Sequence, residues 1–95
     1  MPEVKNTISS KAVIKDNVII GTDVVIEDDV FIDYGCIIRD HVRIGKGSFI
    51  GAMSILGEFL SDFYDDFKNK PHTLIIGNDA IIRSGTVIYG DTSIG

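Results

Sequence analysis

Residues 20–55 read IGTDVV IEDDVF IDYGCI IRDHVR IGKGSF IGAMSI. Written in sixes, every unit opens on isoleucine. The phase runs back to Ile8 and forward to Leu56, then resumes at Ile76, Ile82, Ile88 and Ile94 after an interruption. Twelve of the thirteen openers are isoleucine, which is the signature of an internal repeat. The fifth position repeats as well. Ala12, Val18, Val24, Val30, Cys36, Val42, Ser48 and Ser54 occupy it, and after the interruption Ala80, Thr86 and Thr92. These residues are small or β-branched, while the middle of each unit is polar or glycine. Each unit therefore reads as a short strand and a turn. Positions five and one point inward, and position six points outward between them.

Six residues cannot enclose a core. Three units wound as a triangle make an 18-residue coil, and stacked coils pair their backbones in parallel. The phase then assigns three outward columns. One holds Val13, Phe31, Phe49 and Ile81. A second holds Ile19, Ile37, Ile55 and Val87. The third holds Val25, Arg43, Ile75 and Ser93. Two of the three outer faces are apolar from end to end, a pattern that predicts self-association. The alternative is that the inserted loop or a further segment covers one face.

Ile76 follows Leu56 by 20 residues, one unit of six plus 14 extra. Taking those 14 residues out restores the phase, so the insertion, roughly residues 58–73, is expected to be an external loop at one corner. It reads EFLSDFYDDFKNKPHT. Phe59, Leu60, Phe63, Tyr64 and Phe67 recur at helical spacing with Asp62, Asp65 and Asp66 between them, which predicts a short amphipathic helix ending before Pro71. The aromatic stripe is read as packing against a neighbouring subunit rather than as a substrate contact.

The net charge of -5 argues against nucleic acid and anionic membrane as partners. No apolar run approaches the length of a membrane span, and no signal-peptide layout opens the chain, so a cytoplasmic protein is expected. A single cysteine, Cys36, forms no intrachain disulfide and no cysteine metal site by itself. Gly21, Gly45, Gly51, Gly57, Gly77 and Gly95 fall at the second position of their units. They recur with the turn and form no GxxxxGK cluster, so they are read as relief for the backbone at tight corners.

The repeat resembles that of the hexapeptide-repeat acyltransferases, over Ile8 to Gly95. The resemblance implies an all-β chain: a left-handed parallel β-helix of about four triangular coils with one inserted external loop. The left hand comes from the resemblance alone, since crossover statistics favour the right hand. It further implies a homotrimer with parallel axes and acetyl-CoA as co-substrate, bound in a groove between subunits. A histidine would serve as general base, and a small-molecule acceptor would be acylated. The resumed stretch IIGNDAIIRSGTVIYGD (75–91) is similar to polysaccharide-associated members, which implies a sugar or sugar nucleotide as acceptor.

Two histidines are candidate bases. His72 ends the inserted loop, and His41 lies in the turn one coil earlier at the same corner. Asp40 is the neighbour that orients His41 if the turn allows it. Arg39 and Tyr89 flank the loop root and, with Asp65 of the acidic loop, are candidate substrate-binding residues. The related reading of a zinc-dependent carbonic anhydrase fails for want of a third histidine, so no metal is expected. Residues 1–7 are expected to cap the first coil. Nothing in VIYGDTSIG (87–95) looks like a cap, so the sequence reads as one β-helix domain truncated at its C-terminus, with the essential base of relatives in a later coil. The competing function is a trimerising β-helix scaffold without catalysis.

Overall fold

The computed structural model describes residues 6–58 and 73–94. Among the described residues there are thirteen short strands and no helix. In chain order they are β1 (Thr7–Ile8), β2 (Val13–Ile14), β3 (Ile19–Ile20), β4 (Val25–Ile26), β5 (Phe31–Ile32), β6 (Ile37–Ile38) and β7 (Val42–Ile44). There follow β8 (Phe49–Ile50), β9 (Ile55–Glu58), β10 (Leu74–Ile76), β11 (Ile81–Ile82), β12 (Val87–Tyr89) and β13 (Ser93–Ile94). Each strand pairs in parallel with the strand three places along. The result is three sheets: β1-β4-β7-β10-β13, β2-β5-β8-β11 and β3-β6-β9-β12. We call these faces A, B and C. Together they form the triangular prism of a left-handed parallel β-helix.

The pairing register follows the repeat. Ile26 pairs with Ile44, and Ile44 with Ile76, across the interruption. Phe31 pairs with Phe49 and Phe49 with Ile81 on face B. Ile37 pairs with Ile55 and Ile55 with Val87 on face C. The anticipated outward columns are therefore the observed ones. The interior is a stack of unit openers: Ile26, Ile32, Ile38, Ile44, Ile50, Leu56 and Ile76 are fully buried. Each contributes about 1.5–3 kcal/mol by leaving water. Polar side chains that enter this core find partners. The Ser48 hydroxyl donates to the Gly77 carbonyl at 2.8 Å and accepts from the Ala80 amide at 3.1 Å. Ser54 donates to the Arg83 carbonyl at 3.1 Å. The Cys36 thiol reaches the Gly51 carbonyl at 3.1 Å, and burial pushes it above its ordinary titration range.

The first coil begins earlier than a cap would. Thr7 and Ile8 already form a strand, and Asn6 closes the edge beside it. The Asn6 side chain donates to the Gly21 carbonyl at 2.8 Å and accepts from the Val24 amide at 2.9 Å.

The corners follow a rule that differs from the expected one. Among the described residues the backbone takes positive φ at the fourth position of ten units between Asn17 and Asp91, and at the second position only at Gly57 (φ 85°). Eight of the ten fourth-position residues are Asn, Asp or Gly, the types that tolerate left-handed geometry. The exceptions are His41 (φ 63°) and Met53 (φ 61°). At the second position, Gly21, Gly45 and Gly51 do not have positive φ. They are glycine because the next coil lies against them: a Cβ on Gly51 would sit 2.4 Å from the backbone nitrogen of Ser84.

On the outer surface Ile81 is 77% exposed and Ile19 62% exposed. Phe31 and Phe49 stack in parallel with ring centres 5.1 Å apart. The Lys15 ammonium lies over the Phe31 ring at 5.7 Å.

Candidate functional site

The inserted segment leaves the prism at the corner between faces C and A, and the chain returns there. Glu58 ends β9 and Thr73 precedes β10. The same corner, one coil earlier, is the turn Arg39–Asp40–His41. Stacking brings the residues of several coils into columns. The His41 amide donates to the Thr22 carbonyl at 3.0 Å, the Leu74 amide to the His41 carbonyl at 3.1 Å, and the Asp91 amide to the Thr73 carbonyl at 2.9 Å. Asp23, His41, Thr73 and Asp91 thus occupy one column of turns.

His41 is held by the coil below it. Its Nδ1 lies 2.8 Å from Oδ2 of Asp23, 18 residues back in sequence. About one third of the His41 side chain remains open to solvent. Asp40, the neighbour expected to orient it, is committed elsewhere. Its Oδ1 accepts the Thr22 amide at 2.8 Å. The turn sends the third and fourth positions in different directions, so adjacency in sequence does not become contact here.

Arg39 and Tyr89 are brought to opposite sides of Glu58. The Arg39 guanidinium Nη1 is 3.2 Å from Glu58 Oε1, and Tyr89 pairs with Glu58 across a shift in register. Half-buried Arg39 and exposed Tyr89 thus border the loop root together. His72 and Asp65 lie outside the described residues, as does the expected loop helix. Asp23 and Glu58 are site residues that reading along the chain passes over. The signal that finds Asp23 is the coil length: a residue 18 places away is a nearer neighbour than the one beside it.

Two shallow clefts flank this turn. One, of about 140 Å³, is lined by Asp23, Val25, His41, Val42, Arg43 and Thr73. The other, of about 220 Å³, is lined by Ile19, Gly21, Ile37, Ile38, Arg39 and Asp40 and opens onto apolar face C. Both are smaller than a typical ligand pocket of about 300–1,000 Å³. The described residues of one chain therefore supply a wall here and no enclosed pocket. Among the described residues no group of three or more His, Cys, Asp or Glu side chains is placed to hold a metal ion. No described helix is long and apolar enough to cross a membrane.

Three parallel sheets wound from six-residue units, with an insertion at one corner, define a β-helix of hexapeptide repeats. Residues 23–58 match the family model described as bacterial transferase hexapeptide (six repeats). The matched segment spans both turns of the His41 contact, from Asp23 to Glu58. No curated protein matches the chain.

Proposed function

We propose that this β-helix serves an acyltransferase, which moves an acetyl group from acetyl-CoA to a hydroxyl or amine of a sugar or sugar nucleotide in the cytoplasm. The observation that carries the reading is the placement of His41. A partly exposed imidazole stands at the root of an inserted segment, on a repeat matched to bacterial transferases. In the reaction the ring nitrogen not engaged by Asp23, Nε2, takes the proton of the acceptor. The freed oxygen or nitrogen attacks the thioester carbonyl, a tetrahedral oxyanion forms, and the C–S bond breaks. The CoA thiolate leaves and recovers the proton from the imidazolium.

A homotrimer completes the site in this reading. The clefts at the corner are one-sided, and the apolar columns of faces B and C need a partner surface. A neighbouring copy would turn the wall beside His41 into a groove for the pantetheine arm. Arg39 and Tyr89 border that groove. His72 and Asp65 belong to the segment rooted there and remain the second candidate base and a candidate acceptor contact.

Titration calorimetry with acetyl-CoA tests the reading, together with turnover of the thioester in the presence of amino and hydroxyl sugars. Turnover that is lost in His41→Asn but retained in His72→Asn assigns the base to His41. The absence of any CoA binding by a trimeric sample would sink the enzyme reading. The exposed apolar columns would then favour the alternative, a trimerising scaffold whose faces associate regardless of chemistry.

A further inference from the structure

The geometry points to Asp23 as the positioning residue of His41: it fixes the imidazole with its proton on Nδ1 and leaves Nε2 as the free lone pair. This assignment deepens the acyltransferase proposal and rests on it for its catalytic consequence, but the tautomer itself is a property of the chain alone.

Three observations converge. First, Nδ1 and the Asp23 carboxylate are at hydrogen-bond distance, 2.8 Å. A carboxylate accepts and does not donate, so the ring nitrogen facing it carries the proton. Second, the contact joins two turns whose spacing is locked by the backbone ladder. The His41 amide is bonded to Thr22 of the Asp23 turn, and β4 pairs with β7 immediately afterwards. The partner is therefore presented by rigid stacked coils. Third, His41 occupies a left-handed turn position that the chain otherwise gives to Asn, Asp or Gly, Met53 excepted. Asp40, the competing carboxylate, is taken up by the Thr22 amide. An unrestrained neutral histidine places its proton mainly on Nε2, the nitrogen a general base must keep free. Asp23 reverses that preference. Orienting carboxylates of this kind act through the histidine and not on the substrate.

The experiment is nitrogen-15 NMR of the imidazole in the intact chain at a pH where the ring is neutral. In the wild type the Nδ1–H form should dominate. Asp23→Gly removes the carboxylate yet suits the left-handed turn (φ 56°), so the coil should still form. Its Nδ1–H share should fall several-fold, toward the ratio of a free histidine. Asp23→Asn keeps a neutral acceptor and should fall between the two. If acetyl transfer is detected, Asp23→Gly should lower kcat about 10–100-fold with KM for acetyl-CoA little changed, and Asp23→Asn should recover part of it. An unchanged tautomer ratio in Asp23→Gly overturns the assignment, whatever the activity. A shifted ratio without any wild-type turnover upholds the positioning and instead defeats His41 as the catalytic base.

Discussion

Two corners of the prism break the same rule and do so differently. His41, between faces C and A, and Met53, between faces B and C, both take the left-handed backbone that the other turns assign to Asn, Asp or Gly. Histidine visits this region more readily than most residues, and here it gains a carboxylate partner in the coil below. Methionine has no polar group to satisfy there. Its thioether lies across Gly35 of the preceding coil, where a Cβ would meet the sulfur at 2.4 Å, and it remains 68% exposed. An unusual backbone is therefore not itself a sign of chemistry. What separates the two corners is the neighbour supplied by stacking.

That contrast can be broken by substitution. The largest effect is expected at the first corner. His41→Asn suits the turn and keeps the fold, and it should reduce acetyl transfer by about 10²–10⁴-fold, the usual contribution of a general base, while the thermal midpoint holds or rises. A parallel loss of stability and activity would make His41 a structural residue. Next comes the second corner's close approach. Gly51→Ala drives a methyl group into the backbone of Ser84, so urea unfolding should show a loss of about 1–3 kcal/mol. A neutral result there would mean that the coils separate easily.

Met53→Asn should stabilise the chain by up to about 1 kcal/mol, because Asn carries the left-handed turn at lower cost. In a chain of this size that raises the melting midpoint by about 4–8 °C per kcal/mol. A fall instead would show that the thioether contributes packing that its exposure conceals. The smallest signal concerns Cys36, the residue after Gly35. Burial holds its thiol protonated, so alkylation must wait for opening and should slow slightly in Met53→Asn. The same burial makes stability decline as pH rises through and above the ordinary thiol range, since the unfolded thiol loses its proton first.

The repeat made much of this architecture legible. Isoleucine at every sixth position placed the core, and counting in eighteens placed Phe31 on Phe49 and Ile37 on Ile55. The turns were harder to read. Glycine at the second position suggests relief of the backbone there, which holds at Gly57 (φ 85°); in the other described turns the left-handed residue is the fourth, and Gly51 answers to the proximity of Ser84. The pattern of Asn, Asp and Gly at position four was present in the sequence, and the physical meaning lay in the sign of φ. The partner of His41 is set by coil stacking and not by adjacency in sequence. Adjacency offers Asp40 only if the turn allows it; the turn does not, and Asp23 stands beside the ring. Arg39 and Tyr89 come to the loop root as the phase required, with Glu58 between them, while His72 and Asp65 fall outside the described residues.

The spacing of the ladder also bears on how the chain folds. Successive strands within a face are 18 residues apart, as in Ile26 to Ile44, except at the interruption, where Ile44 meets Ile76 after 32. Closing the longer loop costs only about 0.5 kcal/mol more, because the penalty grows with the logarithm of length. Each coil can therefore form on the one before it in similar steps, without a single distant contact that must be found first. An insertion at this corner scarcely slows such a zipper, which leaves its sequence free to change while the prism beneath it assembles as before.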